Sequence, residues 1–412
     1  MLLQPASCAW TRVCSLMLLS LVVSTAAAPL AWTYRAGNYS WAVAVSSDGR
    51  YAIAGSDDMR IYFFDARSRG GVPLWSYTAR GYVRHVAISG NGTYAAAGDT
   101  DGNIIFFRSA ASGNPIWSRR FDSPIDGLAM SVDGDYLVAG DRQGTIDLFK
   151  TDPADPANQR YRVPGGVLAL SISRSRIFAA TASRGGVYFF GDTPSRSGYA
   201  WVFQNHTSFP QIAISDNASY IVAGASDGYV YLLNRSGQLI DREKLGGSIS
   251  ALSLSGMTSR VVAGSTNGVA FLYAIQDSLS SYGSLVAQRP ITSACISENG
   301  QRVSIAYLDG AVSMFDKSLS TELWMFSTGA IVHSLSMSST GLVMAASSDN
   351  GNVYLFNEEE QKSTNEPALR TLAAPAVVAG FAVLYLVWCR KRKSAAGKPY
   401  DRRRASQSRE IS

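Results

Sequence analysis

The stretch VAISGNGTYAAAGDTDGNIIFF, residues 86–107, contains the pattern that decides the fold of this chain. An apolar strand from Val86 to Ile88 leads into Ser89 and then into Asn91-Gly92, a dipeptide that favours a tight hairpin turn. A second strand of small residues follows, and Asp101-Gly102 turns the chain again into an aromatic strand. The stretch therefore predicts antiparallel strands joined by two short turns.

The same pattern occurs eight times, with a serine after the first apolar strand of every copy. Successive serines are 40 to 43 residues apart: Ser46, Ser89, Ser131, Ser173, Ser215, Ser255, Ser297 and Ser338. A period of about 40–45 residues with four short strands per repeat is typical of a β-propeller, in which each repeat is one blade. We therefore expect an all-β, eight-bladed β-propeller over residues 29–357. An open ring, or a seven-bladed ring with one degenerate copy, is the alternative.

A segment before the first copy predicts how the ring closes. Residues 30–34, Leu-Ala-Trp-Thr-Tyr, match the outer strand of the first copy at residues 74–77, whereas the last copy stops after residue 356 without an outer strand. An N-terminal strand that completes the last blade would leave no open join between the first and last sheets. We expect a propeller closed in this way.

The repeats resemble those of the WD-repeat and quinoprotein-like β-propeller superfamily over residues 30–357. Phe63-Phe64-Asp65 and Met314-Phe315-Asp316 come nearest to the Trp-Asp ending of WD repeats, although typical Gly-His and Trp-Asp pairs are absent. The outer-strand sequence Leu74-Trp75-Ser76-Tyr77 is closer to quinoprotein-like blades. The resemblance implies the fold, and a shared fold does not transfer an activity.

The segments outside the repeats predict a membrane-anchored protein. Residues 1–28 contain Arg12, an apolar stretch and a small-residue end, as a signal peptide does. Residues 358–371 form a predicted juxtamembrane linker, and the uncharged residues 372–389 predict a C-terminal transmembrane helix. The basic tail, residues 390–412, indicates the cytoplasmic side. We expect a single-pass protein of the plasma membrane with its N-terminal domain outside the cell.

The positive charge of the chain is concentrated in this tail. The whole chain has a net charge of +6, and residues 390–412 hold nine Lys/Arg against two Asp/Glu. The remainder of the mature chain is therefore slightly acidic, which argues against a nucleic-acid partner. The tail is a candidate site for anionic lipid headgroups.

Sequons and cysteines fit an extracellular propeller. Cys295 is the single propeller cysteine, so no internal disulfide is expected, and its small-residue position in an inner strand predicts a structural role. Five Asn-x-Ser/Thr sequons predict glycosylation: Asn38, Asn91, Asn205, Asn217 and Asn234.

The repeat register also predicts which residues surround the mouth of a central channel. The residue five places before each serine begins an inner strand, and consecutive blades eight, one, two and three hold unusual chemistry there. The candidate ligand-binding residues at or beside this position are Trp41, Arg84, His85, Asp126 and His333. An aromatic ring beside a cation, a carboxylate and imidazoles would suit a peptide or a glycan. Ordinary solvation and salt bridging at strand entries is the alternative.

The sequence offers no pattern typical of catalysis. It contains three His, and we find no nucleophile elbow, zinc-type cluster or phosphate-binding glycine loop. We expect no catalytic residues, metal or cofactor. The predicted function is a non-enzymatic, cell-surface binding or scaffold module for an extracellular protein or glycan. A quinone-dependent redox enzyme of the pyrroloquinoline quinone type and an envelope-assembly scaffold are the two alternatives.

Overall fold

Four-stranded antiparallel sheets account for the repeats. The computed structural model describes residues 27–109, 113–152, 158–173, 177–182, 185–191 and 198–359. Within these ranges, thirty-two β-strands form eight four-stranded sheets. We number the sheets as blades one to eight in the order of their inner strands.

Each blade has an inner, a second, a third and an outer strand. The inner strands are β2 (Ser40–Val45), β6 (Val83–Ile88), β10 (Ile125–Met130), β14 (Val167–Ile172), β18 (Gln211–Ile214), β22 (Ile249–Leu254), β26 (Ile291–Ile296) and β30 (Val332–Met337). The second strands are β3 (Tyr51–Ser56), β7 (Tyr94–Asp99), β11 (Tyr136–Asp141), β15 (Phe178–Ala182), β19 (Tyr220–Gly224), β23 (Arg260–Ser265), β27 (Arg302–Tyr307) and β31 (Val343–Ser348). The third strands are β4 (Arg60–Asp65), β8 (Asn103–Arg108), β12 (Thr145–Lys150), β16 (Gly186–Phe190), β20 (Tyr229–Asn234), β24 (Val269–Ile275), β28 (Ala311–Asp316) and β32 (Asn352–Asn357). The outer strands are β5 (Trp75–Thr78), β9 (Pro115–Arg120), β13 (Asn158–Arg162), β17 (Trp201–Gln204), β21 (Leu239–Lys244), β25 (Leu279–Val286), β29 (Glu322–Ser327) and β1 (Leu30–Arg35).

The first and last strands of the chain belong to the same sheet. Blade eight has the order β1-β32-β31-β30, and β1 pairs antiparallel with β32, with Thr33 opposite Tyr354. Each inner strand contacts the inner strands of both neighbouring blades, and β30 contacts β2. The sheets therefore stand in a closed ring around a central channel, and the N-terminal strand has the position that the sequence predicts for it.

The fold class stated from the sequence requires a correction. That prediction combined an eight-bladed propeller with a C-terminal transmembrane helix, whereas every element assigned above is a β-strand. A search of the described ranges for a helix long and apolar enough to cross a membrane finds none. Residues 1–26 and 360–412 lie outside the described residues, and with them most of the predicted signal peptide, most of the linker, and all of the predicted helix and tail.

The repeated serine organises the hairpin between the inner and second strands. In blade one, the Ser46 hydroxyl donates to Asp48 Oδ1 at 2.5 Å and accepts a hydrogen bond from the Tyr51 backbone N–H at 3.0 Å. The inner strand ends at Val45, so the serine belongs to the turn and not to the strand. The same arrangement recurs with Ser89, Ser131, Ser215 and Ser297. A buried hydroxyl that is satisfied twice explains why serine recurs at this position.

The core lies between neighbouring sheets. Of the buried apolar clusters in the described residues, each draws on two adjacent blades. Trp75 of blade one shows the arrangement: its ring stacks on Phe63 of its own blade and lies 4.9 Å from Phe107 of blade two. Trp117 contacts Phe149 of blade three in the same way, so outer-strand tryptophans link blade one to blade two and blade two to blade three.

Met59 occupies a turn position that glycine fills in the other blades. Its φ is 63°, and the equivalent glycines in the turns between second and third strands also have positive φ: Gly102, Gly144, Gly185, Gly228, Gly268, Gly310 and Gly351. A side chain in this left-handed region costs about 1–2 kcal/mol. The Met59 side chain is 40% exposed, so its burial offsets little of that cost.

We expect the Met59→Gly variant to unfold with a free energy about 1 kcal/mol higher than the wild type, because glycine relieves the strained backbone. Urea denaturation of the two proteins measures this difference. A clear loss of stability in the variant would show that the turn in blade one is not strained.

Candidate functional site at the mouth of the central channel

β-Bulges lie at the strand-entry positions that hold most of the predicted site residues. In seven inner strands the pairing register shifts at the residue five places before the repeated serine, as it does at Trp41, Arg84 and Asp126. A bulge inserts an unpaired residue and redirects its side chain. The strand-entry positions found by counting along the sequence are therefore positions whose side chains are turned out of the regular sheet.

All five candidate residues line one cavity. It has a volume of about 550 Å³ and is lined by residues of all eight inner strands, including Trp41, Arg84, His85, Asp126 and His333. This volume is within the range of about 300–1,000 Å³ that is usual for ligand sites. The structure therefore brings the sequence-predicted residues together at the channel.

Trp41 lies between an imidazole and a guanidinium group. The His333 ring stacks on it with 3.9 Å between ring centres and an interplanar angle of 23°. The Arg84 guanidinium carbon lies 4.5 Å from the centre of the Trp41 ring. His333 belongs to blade eight and Arg84 to blade two, so Trp41 contacts a residue from each of the two neighbouring blades. Cation–π attraction and ring stacking hold the three side chains in a fixed order.

Contacts with carboxylates hold Arg84 and His333 in place. Arg84 binds the Asp57 carboxylate through Nε at 3.3 Å and Nη2 at 3.2 Å. His333 Nε2 lies 2.5 Å from Asp349 Oδ1. Such pairs restrict side-chain rotation more than they stabilise the fold, because they remain partly exposed.

Asp126 has a similar partner. Arg142 binds its carboxylate through Nε at 2.8 Å and Nη2 at 3.0 Å. The hydrogen bond to Asp126 raises the pKa of Arg142. The guanidinium group is therefore always charged.

Sequence reasoning missed the partner residues Asp57, Arg142 and Asp349. Each lies eleven places after a repeated serine, and its backbone N–H donates to the loop that precedes the inner strand. The same count along the repeat would have found them. It would also have found their uncharged equivalents in other described blades: Thr100, Ser226, Thr266 and Leu308.

The charged side chains at the inner-strand positions occupy one half of the channel mouth. Among the described residues five places before or eleven places after a repeated serine, charged or ionisable side chains come from blades one, two, three and eight. The inner-strand positions of blades four to seven hold Leu168, Pro210, Ser250 and Thr292. At these inner-strand positions the cavity therefore has a charged, aromatic half and an uncharged half, which would orient a bound segment.

His85 is held neutral inside the channel. Burial lowers the pKa of His85 to about 4; the charge of Arg84 also lowers it, whereas the charge of Asp126 opposes the shift. The imidazole of an unfolded chain has a pKa of about 6.5. At pH values between these two pKa values, His85 binds a proton in the unfolded chain but not in the folded protein.

The stability of the fold should therefore fall as the pH is lowered from about 6.5 to about 4, and this contribution should be absent in the His85→Gln variant. Urea midpoints at about pH 7 and about pH 4.5 measure it for both proteins. We expect a smaller difference between the two midpoints in the variant. An unchanged difference would mean that His85 is not the group responsible.

The five predicted glycosylation residues differ in their surroundings. Asn38, Asn91 and Asn217 are exposed. Asn205 donates its side-chain amide to Tyr231 Oη at 2.8 Å, and Asn234 donates to Gln238 Oε1 at 2.9 Å. A glycan is attached through that same nitrogen, so it would disturb both hydrogen bonds. Glycosylation remains a prediction, and the three exposed residues are the better placed acceptors.

No group of three or more His, Cys, Asp or Glu side chains in the described part of the chain is arranged to hold a metal ion. Cys295 is buried in an inner strand, and its burial raises the pKa of the thiol. The thiol is therefore protonated and a poor nucleophile.

Comparisons with known proteins address the fold. Residues 32–65 and 71–108 match the family model described as WD domain, G-beta repeat. No curated protein matches the chain. Solved structures with similar folds include Sqt1 from Saccharomyces cerevisiae, with 12% identity, a TM-score of 0.69, and coverage of 80% of this chain and 99% of that chain.

Two further structures have the same fold. Sqt1 from Chaetomium thermophilum, bound to the N-terminus of the ribosomal protein L10, has 15% identity, a TM-score of 0.69, and coverage of 80% of this chain and 100% of its own. The computationally designed Ika8 protein has 19% identity, a TM-score of 0.68, and coverage of 81% and 100%. Two segments of the chain therefore match the WD-repeat model, and its fold is that of the solved β-propellers to which it is similar.

Proposed function

We propose that this protein is a non-enzymatic binding module that holds a segment of a protein partner at the mouth of its central channel. The observation that carries the proposal is the fixed row of His333, Trp41 and Arg84, stacked in order beside an open cavity. A rigid ring keeps these side chains in place before the partner arrives, which lowers the entropic cost of binding.

The uncharged half of the mouth is evidence that the ligand is a polypeptide. Ser250 donates its hydroxyl to the Ile291 carbonyl, and such residues provide a polar wall without charge. A segment that crosses the mouth would meet charged, hydrogen-bonding groups on one side and small neutral groups on the other. Among the similar structures, the Chaetomium thermophilum Sqt1 is bound to the N-terminus of a ribosomal protein, which supports a protein partner over a small molecule.

The proposed setting is the cell surface. It rests on the sequence of residues 1–28 and 372–389, and the partner would then be an extracellular protein or a glycan-bearing one. The basic tail would contact anionic lipid on the cytoplasmic side. Protease treatment of intact cells tests this placement: we expect loss of the propeller and survival of the tail. Survival of both would contradict it.

Capture of partners by the full chain tests the proposed function. The protein is purified from its own cells after crosslinking, as the wild type and as the Trp41→Ala, Arg84→Ala and Thr292→Ala variants. Thr292 occupies the same rim position as Trp41 in the uncharged half, so it is the matched control. We expect Trp41→Ala and Arg84→Ala to reduce capture of a specific partner about tenfold or more.

The Thr292→Ala variant shows how much capture changes when a rim residue outside the anchor group is truncated. Thr292→Ala should retain capture within about twofold of the wild type, since rim residues outside the anchor group contribute little. Thermal midpoints of all variants exclude unfolding as the cause of a loss. Equal capture by the wild type and the Trp41 and Arg84 variants would show that the partner binds elsewhere.

A further inference from the structure

We propose that the channel mouth recognises a carboxylate group of the partner, through the guanidinium groups of Arg84 and Arg142. The inference rests on the proposed function and names the chemistry of the ligand. The carboxylate belongs either to an Asp or Glu side chain or to a chain terminus. Both sources present the same planar, acceptor-only group.

The exposed member of each arginine pair is the cation. The Arg84 side chain is 39% exposed and that of its partner Asp57 only 9%. Arg142 is 62% exposed and its partner Asp126 27%. A ligand that approaches the mouth therefore meets guanidinium groups before it meets carboxylates, although the pairs are neutral as a whole.

Both arginines keep unused hydrogen-bond donors. Arg84 and Arg142 bind their aspartates through Nε and Nη2, which occupies one edge of each planar group. The Nη1 amino group of each has no hydrogen-bond partner among the residues that the structure describes. The oxygens of Asp57 and Asp126 are already engaged by these arginines. The site therefore has spare donors and few spare acceptors, which suits an acceptor-rich ligand.

The neighbouring groups do not compete for the carboxylate. His85 lies near Arg84 and Asp126 along the channel wall and is neutral at physiological pH, so it adds no charge. The Arg84 guanidinium carbon lies 4.5 Å from the centre of the Trp41 ring, while its Nε and Nη2 bind Asp57. A guanidinium group that is stacked and paired in this way is fixed in orientation before a ligand binds.

Binding of four labelled peptides to the full chain tests the inference. All have the backbone Gly-Ser-Xaa-Gly-Ser-Xaa with an acetylated N-terminus. One carries Glu at Xaa with an amidated end, one Gln with a free C-terminal carboxylate, one Gln with an amidated end, and one Lys with an amidated end. We expect at least one carboxylate peptide to bind about tenfold or more tightly than the neutral and cationic peptides at low ionic strength. The first two peptides distinguish side-chain from terminal carboxylates.

Substitutions of paired arginines complete the test. The Arg84→Gln/Arg142→Gln double variant should lose this preference, whereas Arg289→Gln should keep it. Arg289 is also paired with an aspartate, Asp309, and lies at the same end of the sheets, in the loop before β26 of blade seven. Equal loss in both variants would indicate a general charge effect and would overturn the inference.

The outcomes also separate this inference from the proposed function. Tighter binding of the neutral or cationic peptide, or binding of none, would overturn carboxylate recognition. If partner capture still depended on Trp41 in that case, the channel mouth would remain the binding site. If capture were independent of Trp41, the proposed function itself would fail.

Discussion

Replacement of Gly228 by alanine is expected to lower the free energy of unfolding by about 3 kcal/mol or more. Gly228 has a φ of +84°, and an added Cβ would lie 2.1 Å from the carbonyl oxygen of Gly246. Because the obstructing atom belongs to the backbone of the next loop, it cannot move aside as a flexible side chain would. The turn between the second and third strands of blade five would have to open.

Gly329 is the matched control for this prediction. Its φ is +77°, but no atom lies within 4 Å of an added Cβ. Gly329→Ala therefore measures the backbone cost alone, about 1 kcal/mol. Urea denaturation of both variants isolates the cost of the close approach. Equal losses of stability in the two variants would contradict the packing described for this turn.

Trp32→Ala should cost about 3–5 kcal/mol, because the residue closes the ring. Its side chain is 5% exposed, and its ring lies 4.9 Å from that of Phe64 in blade one. Trp32 belongs to β1, which pairs with β32, and its apolar cluster includes Val353 and Leu355 of β32. Truncation removes apolar burial at the join between these two strands, which pairing and packing alone hold together.

Trp75→Ala provides the comparison for Trp32→Ala. Trp75 has the same position in blade one, is only half-buried, and lies in a blade whose four strands are consecutive in the chain. We expect a smaller loss of stability for Trp75→Ala, and faster hydrogen exchange in residues 30–35 only for Trp32→Ala. A closing strand that remained protected in the Trp32 variant would show that ring closure does not depend on this residue.

The spacing of the repeated serines carried most of the structural prediction. The hydroxyl groups of Ser46 and its equivalents form hydrogen bonds within their own turns. The interval between successive serines therefore equals the length of chain in one blade. Counting five residues back from them located Trp41 and Arg84 at the channel, because the strand length is nearly constant between copies. A local interaction that recurs along the chain can be recognised in a single sequence.

The interactions between blades could not be predicted in the same way. Arg84 pairs with Asp57 of the preceding blade, and Trp41 stacks on His333, which is 292 residues away in the sequence. These contacts depend on the angle between sheets and on bulges, neither of which leaves a pattern in residue type. The sequence predicted which residues face the channel, and the structure supplied which of them touch.

Site-specific photo-crosslinking in the intact protein tests most directly the claim that the channel mouth binds the partner. A photoreactive amino acid is placed at Tyr82, 43% exposed in the loop before β6 beside Arg84, or at Met257, 69% exposed in the hairpin after β22 at the opposite end of the inner strands. We predict crosslinks to the captured partner from position 82 and none from position 257. Crosslinks from position 257 without any from position 82 would contradict the account.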